Sequence, residues 1–321
     1  MTAFVPLAGG SDDSPREHTF KRGPQPSGPR EHEMSIDIGK VTVLGTGVLG
    51  SQIAFQCAYR GFDVTAYDIT DDILAKAHSR FGHLAEIYKR EVTGADDDTV
   101  AAAQARIRLS SDLADAVGEA DLVIEAIPEV LDTKRDTYTE LSRVAPEKSI
   151  FATNSSTLLP SDLKAFTGRP PRFLALHFAN ELWKFNIAEV MGTVDTDPAV
   201  FDSIVGFAGA IGMVPISIRK EKAGYVLNSL LVPLLKAAGE LAADDYANPA
   251  DVDKVWRIAT GAPLGPFQIY DAIGLTTPYN ILSHGDERDR QIAAWLKENY
   301  IDAGKFGVAT GEGFYRYTNE I

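Results

Sequence analysis

The sequence predicts an α/β protein: a doubly wound sheet that carries a helical hairpin insertion and is followed by an all-α C-terminal domain. Three observations lead there. Short apolar, β-branched runs alternate with helical patterns as far as about residue 218. A glycine-rich turn, Gly45-Thr46-Gly47-Val48-Leu49-Gly50, sits between the first such run and the first helix. Beyond Arg219 the apolar runs stop and only helical patterns remain.

The opening unit carries the clearest chemistry. Lys40 to Leu44 reads as a buried strand, Ser51 to Arg60 as a helix stopped by Gly61, and Phe62 to Tyr67 as a second strand ending at Asp68. Strand, glycine turn, helix, strand and acid in this order predict a Rossmann-type dinucleotide site. Gly45 allows the tight turn, Gly47 lets a pyrophosphate approach the backbone, and Gly50 lets helix and strand pack closely. Val48 and Leu49 complete the turn. The helix N-terminus offers free N–H groups to the phosphates. Asp68 can accept hydrogen bonds from the adenosine ribose hydroxyls. Its carboxylate would repel a 2′-phosphate, and Ile69 and Thr70 supply no arginine, so NAD is expected over NADP.

Residues 72–111 read as two helices, Asp72 to Val92 and Thr99 to Arg106, joined by the acidic turn Thr93 to Asp98. Such a hairpin would stand outside the core sheet. Strands are then expected at Leu122 to Ala126, Ile150 to Thr153, Phe173 to Leu176, Ala188 to Met191 and Val214 to Ile218, with helices at Asp132 to Ser142 and Ser203 to Ile211. The domain boundary falls near Arg219, giving an NAD-binding domain over 35–219 and a helical substrate and dimerisation domain over 220–321. Helices are expected there at Tyr225 to Ala242, Pro249 to Thr260 and Arg288 to Tyr300. The stretch Leu227 to Leu241 is so apolar that it predicts a homodimer interface.

Composition excludes several classes of function. With 45 acidic and 31 basic residues the formal charge is −14, which argues against nucleic-acid binding. The single Cys57 lies within the first helix, so neither an intrachain disulfide nor a cysteine-rich metal site is expected, and no metal site is assigned. No apolar run approaches the roughly 18–20 residues of a membrane span. Residues 1–34 lack apolar periodicity and are expected to form a disordered tail, with Met34 a candidate start. The tail lacks the apolar core of a secretory signal and is too acidic for a transit peptide, so a cytoplasmic location is expected.

In an open α/β sheet, ligands bind beyond the carboxyl ends of the strands. Asp68, Glu129, Ser156 and His177 fall at such positions, and His177 is the best-placed general base among six histidines. From about residue 38 to Tyr317 the chain resembles the L-3-hydroxyacyl-CoA dehydrogenase family, including its short 3-hydroxybutyryl-CoA type. The resemblance rests on Val123-Ile124-Glu125-Ala126-Ile127-Pro128-Glu129, Asn154-Ser155-Ser156-Thr157-Leu158, Leu176-His177-Phe178-Ala179-Asn180 and Ala188-Glu189-Val190. It continues in Gly224-Tyr225-Val226-Leu227-Asn228, Gly265-Pro266-Phe267 and Gly311-Glu312-Gly313-Phe314-Tyr315. It implies that His177 is the general base, that Glu189 orients it, that Ser156 bonds the reacting oxygen and that Asn228 holds the substrate carbonyl. It also implies an NAD site lined by Ala126, Glu129, Lys134, Asn154, Ser156 and Asn180. The implied reaction is the reversible oxidation of an L-3-hydroxyacyl-CoA to the 3-oxoacyl-CoA.

The chain departs from the family between Glu181 and Asn186, where bulky Trp183 and Phe185 stand close in sequence to His177 and are expected to wall the substrate pocket. Ser229 replaces a common arginine. The hairpin keeps Lys76, Arg80, Lys89 and Arg90 but has an acidic tip. A free 3-hydroxy acid or related hydroxylated metabolite is therefore an alternative substrate. A crystallin-like NAD-binding protein without catalysis is the non-enzyme alternative.

Overall fold

The computed structural model describes residues 36–317, so the tail expected over 1–34 lies outside the described residues. β1 (Lys40–Leu44), α1 (Val48–Tyr59) and β2 (Asp63–Tyr67) form the first crossover. The hairpin consists of α2 (Asp71–Glu91) and α3 (Asp97–Ala105), and leads into β3 (Ile107–Ser110) and α4 (Leu113–Val117). Next come β4 (Leu122–Glu125), α5 (Leu131–Val144), β5 (Ile150–Thr153) and the short α6 (Pro160–Leu163). β6 (Phe173–Phe178), β7 (Ile187–Gly192), α7 (Pro198–Ala210) and β8 (Val214–Ile218) complete the sheet. The helical end holds α8 (Leu227–Ala243), α9 (Pro249–Thr260), α10 (Pro266–Ile273), α11 (Thr276–Ser283) and α12 (Glu287–Asn299).

The eight strands form one sheet in the order β3-β2-β1-β4-β5-β6-β7-β8. Every neighbouring pair is parallel except β6 with β7. The direction of winding reverses between β1 and β4, so a crevice opens there beyond the strand ends. All residues of β4, β5 and β6 are buried, as strands covered on both faces must be.

One face is covered by α1, α2, α3 and α7 through Ile53, Phe55, Phe81, Leu84, Tyr88, Val100 and Ile204. The other is covered by α4 and α5 through Leu113, Val117, Tyr138 and Leu141. The hairpin lies outside the sheet, as expected, and packs onto the layer that covers it. Phe81, Leu84, Tyr88 and Val100 belong to the same apolar cluster as β1 and α1. Burying each large side chain contributes about 1.5–3 kcal/mol. An exposed pair such as Arg106–Asp63 adds only about 0–1 kcal/mol. Packing therefore seats the hairpin. The acidic turn acts locally, since the Asp96 carboxylate accepts from Thr99 N at 2.9 Å and caps α3.

β3 is a correction to the reading of 72–111 as helix alone. Ile107 and Leu109 pair with Val64 and Ala66 of β2 at the sheet edge, where the strand is only partly buried and Arg108 and Ser110 break up the apolar run that marks the central strands. In the helical end, α10 and α11 are additions to the three helices that the sequence predicts. The N-terminus of α10 is held by the buried Asp253 carboxylate, which accepts from Phe267 N at 2.8 Å and Gln268 N at 3.0 Å.

Candidate active site

The glycine turn shows why Gly45 and Gly50 are needed. Gly45 has φ +90°, and a Cβ on it would lie 2.6 Å from the Ala126 carbonyl oxygen. A Cβ on Gly50 would lie 1.9 Å from the Gly45 carbonyl oxygen. A Cβ on Gly47 would meet nothing within 4 Å, and no side chain caps α1 there. Open backbone beside an uncapped helix N-terminus fits a pyrophosphate. Val48 is exposed and Leu49 half-buried on the same rim. Asp68 Oδ2 accepts from Thr46 N at 2.7 Å and Thr46 Oγ1 at 2.8 Å, which ties the turn to the end of β2. Asp68 Oδ1 accepts from Ile69 N at 2.9 Å and keeps capacity for a further donor such as a ribose hydroxyl. Arg80 reaches the turn from α2 and donates to the Thr46 carbonyl at 3.0 Å. These residues fit a dinucleotide.

The catalytic candidates meet because of strand register. In the antiparallel pair β6–β7, His177 lies directly opposite Glu189. The twelve-residue spacing is thus a cross-strand pair. His177 sits inside β6, one residue before its end, not after it. His177 Nδ1 lies 3.0 Å from Glu189 Oε2, and Nε2 lies 3.1 Å from Ser156 Oγ. With the Nδ1 proton on the carboxylate side, Nε2 is free to accept a proton. Both His177 and Glu189 are buried.

The helical end completes this arrangement. Glu189 Oε1 accepts from Val226 N at 2.8 Å and Leu227 N at 3.1 Å, at the start of α8. Burial works to raise the Glu189 carboxyl, but the bonds from His177, Leu227 and Val226 outweigh it and hold its pKa below the ordinary carboxylate value. The Tyr225 ring stacks on the imidazole with centroids 4.4 Å apart and planes at 11°. Tyr225 is buried, adopts a left-handed backbone (φ +51°), and donates from its hydroxyl to the Ser155 carbonyl at 2.8 Å. Sequence reasoning misses Tyr225 as a site residue, because an aromatic beside an apolar helix carries no chemical signal.

Ser156 is presented by a turn gathered around Glu129. Glu129 Oε1 accepts from Ser155 Oγ at 2.5 Å, Ser156 N at 3.0 Å, Thr157 N at 2.9 Å and Thr157 Oγ1 at 2.8 Å. Burial opposes ionisation here too, but these bonds and the Lys134 charge pull the Glu129 pKa down to about 2. Asn154 is buried, and its Oδ1 accepts from Phe178 N at 2.9 Å, which joins the ends of β5 and β6. Ala126 is half-buried beside the glycine turn, within reach of the position a Gly45 Cβ would take.

Four further residues singled out in the sequence have the following surroundings. Lys134, which the resemblance implies at the cofactor, has a side chain 1% exposed, with its ammonium between Glu125 and Glu129. Asn228 is half-buried in the first turn of α8, beside Leu231, Leu235, Tyr270 and Ile273. Among the described residues, no hydrogen bond joins it to Ser156, His177 or Glu189. Asn180 is exposed just beyond β6. Trp183, expected to wall the substrate pocket, instead lays its indole against Tyr88, and Nε1 donates to Glu91 at the end of α2, at 2.8 Å. The reason is the turn at Glu181, which has φ +59° and donates from its N–H to Gln52 Oε1 at 2.7 Å. The chain after β6 is thereby sent toward the hairpin.

The doubly wound sheet with its glycine turn and Asp68 defines a dinucleotide-binding protein of the dehydrogenase class. Two family models match the chain. "3-hydroxyacyl-CoA dehydrogenase, NAD binding domain" matches residues 40–222, and "3-hydroxyacyl-CoA dehydrogenase, C-terminal domain" matches residues 224–317. The chain belongs to the 3-hydroxyacyl-CoA dehydrogenase family and is an NAD-dependent enzyme of that type. It is 36% identical to human mitochondrial hydroxyacyl-coenzyme A dehydrogenase over 291 residues, covering 88% of this chain and 92% of that one. Its structure matches a (S)-3-hydroxybutyryl-CoA dehydrogenase from Ralstonia eutropha with TM-score 0.75 and 29% identity, over 88% of this chain and 100% of that one. It also matches a diketoreductase, solved in connection with dual catalysis of dicarbonyl compounds, with TM-score 0.86 and 65% identity over 87% of this chain and 99% of that one.

Proposed function

We propose that His177 is the proton-transferring group in the interconversion of a 3-hydroxyacyl-CoA and its 3-oxoacyl-CoA. The observation that carries this is the continuous chain Ser156 Oγ, His177 Nε2, His177 Nδ1, Glu189 Oε2, with steps of 3.1 and 3.0 Å across the ring. In the oxidising direction Nε2 takes the hydroxyl proton, and the ionised Glu189 stabilises the imidazolium that forms. Ser156 Oγ hydrogen-bonds the same substrate oxygen and Asn228 takes the thioester carbonyl, each stabilising the charge that develops. When bound, NAD supplies the nicotinamide that accepts the hydride from the hydroxyl-bearing carbon. Gly45, Gly47, Val48, Leu49, Gly50 and Asp68 are assigned to its adenosine and pyrophosphate end. Ala126, Glu129, Asn154, Ser156 and Asn180 are assigned to its nicotinamide end. In reduction His177 returns the proton to the 3-oxygen.

A second reading concerns the group attached to the reacting ketone. A 3-oxoacyl thioester is itself a 1,3-dicarbonyl, so a free dicarbonyl presents the same reacting atoms. The similarity to the diketoreductase favours this reading. So does the state of the hairpin. Lys89 is paired with Glu86 and Asp97, each at 2.8 Å, and Arg90 with Glu91 at 3.0 Å. Arg80 is committed to the Thr46 carbonyl. That leaves few cations there for CoA phosphates. NADH oxidation measured with acetoacetyl-CoA and, separately, with free 1,3-dicarbonyls decides between them. Turnover of the thioester at the higher kcat/KM supports the main reading, and turnover confined to free dicarbonyls replaces it with the second.

A homodimer through the helical end is part of the proposal. Leu230, Tyr246, Val255 and Ile258 are 71%, 77%, 67% and 76% exposed there, far more apolar surface than a monomer's solvent face needs. Light scattering at micromolar concentration is expected to give twice the chain mass, and a strict monomer would remove the dimer. A cytoplasmic site of action belongs to the same reading, and fractionation of cells producing the full chain tests it. Among the described residues, no helix is long and apolar enough to cross a membrane.

A further inference from the structure

One short segment at the start of the helical end touches every member of the proposed proton relay. Gly224 N donates to the Ser156 carbonyl at 3.1 Å. Tyr225 donates from its hydroxyl to the neighbouring Ser155 carbonyl at 2.8 Å and lays its ring on the His177 imidazole. Val226 N and Leu227 N hold Glu189 Oε1. Four consecutive residues thus reach Ser156, His177 and Glu189 together.

The backbone is bent to allow this. Gly224 has φ +80° and Tyr225 has φ +51°. Glycine enters the left-handed region freely, but a bulky aromatic there is costly and persists only where its surroundings fix it. Tyr225 is fixed by burial against Ala175 of β6 and Met191 of β7. Its N–H donates to the Lys222 carbonyl at 3.0 Å. The bend sets the ring on His177 while the next two N–H groups face Glu189.

The imidazole needs such a neighbour. Rotation about its Cβ–Cγ bond is soft, and it would carry Nδ1 and Nε2 away from Glu189 and Ser156. A parallel ring, with centroids 4.4 Å apart and planes at 11°, blocks that rotation on one face. The same face favours the positive charge that His177 gains when it takes a proton.

We propose that Tyr225 is a positioning residue for the proton transfer, whose ring holds the His177 imidazole in the plane that joins Glu189 to Ser156. The proposal rests on the reading of His177 given above. It is tested in the full chain with Y225F, Y225L and Y225M. Phenylalanine keeps the flat ring and loses only the bond to Ser155. Leucine and methionine fill much of the volume without a flat face, and the second guards against misfolding of the first. Turnover is measured with acetoacetyl-CoA or with whichever free 1,3-dicarbonyl turns over faster. NADH affinity is read by fluorescence titration, and kcat is expressed per NADH-binding site, so that unfolded protein does not count.

Y225L and Y225M are expected to lose at least about 30-fold in kcat, and Y225F to recover at least about tenfold of that loss, since misplacing a reacting group by about 1 Å costs on the order of 100-fold. NADH Kd should rise less than about fivefold in all three, because the 155–157 turn keeps its four donors on Glu129. A kcat within about threefold of the parent in Y225L and Y225M would overturn the proposal. So would a loss in Y225F as large as in Y225L, which would move the role from the ring to the hydroxyl. A Kd raised more than about 30-fold with kcat preserved would make Tyr225 part of the cofactor site and overturn it equally. H177A is measured alongside. Parent-like turnover there would overturn the functional reading itself, whatever the Tyr225 variants do.

Discussion

Replacing His177 with alanine is expected to lower kcat by at least about 1,000-fold while leaving NADH Kd within about threefold, since general acid–base catalysis contributes roughly 100- to 10,000-fold. Among the described residues, the imidazole alone touches both Ser156 Oγ and Glu189 Oε2. The alanine would leave Glu189 with one partner fewer, but its Oε1 keeps the Val226 and Leu227 N–H groups. Folding should therefore survive. E189Q is expected to cost less, about 100-fold in kcat, because the amide keeps the shape but not the charge that stabilises the imidazolium. Stopped-flow or steady-state rates of NADH oxidation read both. Turnover of H177A within a factor of two of the parent would remove His177 from its assigned role.

Substituting Gly50 with alanine should be nearly as damaging by a different route. The new Cβ would sit 1.9 Å from the Gly45 carbonyl oxygen, which is backbone and cannot rotate away. Either α1 must shift along its axis or the turn must open. Overpacking of this kind costs about 1–3 kcal/mol, which, if relieved by displacing the phosphate cradle, should raise NADH Kd by roughly 5- to 150-fold. Alanine at Gly47 supplies the contrast. Its Cβ meets nothing within 4 Å and its φ of −62° is ordinary, so the free chain should unfold at the parent's Tm. Thermal unfolding and fluorescence titration of the two variants check the pair. Equal stability of G50A and G47A would show that the close approach at Gly50 carries no cost.

Much of this is legible in the sequence because the signals are local. The glycine turn, its flanking strands and Asp68 lie within one crossover, and the role of each residue follows from its place in it. The pairing of His177 with Glu189 is legible at one remove. Two strands separated by a short connection put positions twelve apart opposite each other, so the spacing carries the geometry. What the sequence hides depends on contacts between distant segments. Lys134 and Glu125 are nine residues apart and meet at the switch point only once β4 and α5 have docked. The visible hint is an acid inside the apolar run Leu122-Val123-Ile124-Glu125. Trp183 misleads for the opposite reason. It is close to His177 in sequence, but the left-handed turn at Glu181 sends it to the hairpin. Tyr225 stacks on the catalytic ring from the far side of the sheet–helix junction, which no periodicity announces.

The two ends of the chain share the site. Glu189 is ionised and oriented by N–H groups of Val226 and Leu227, and His177 is covered by Tyr225. The helical end therefore contributes contacts to the proposed proton relay itself. A cut between the sheet and the helices would leave the glycine turn intact and dismantle the base.

The central claim is that His177 handles the proton at the 3-oxygen while hydride moves between the carbon bearing that oxygen and NAD. Reduction of acetoacetyl-CoA, or of whichever 1,3-dicarbonyl turns over faster, with NADH deuterated at C4 of the nicotinamide tests it most directly. The account predicts one deuterium at carbon 3 of the hydroxy product, none at carbon 2, and loss of this transfer in H177A. Deuterium at any other carbon, or undiminished transfer in H177A, would contradict it.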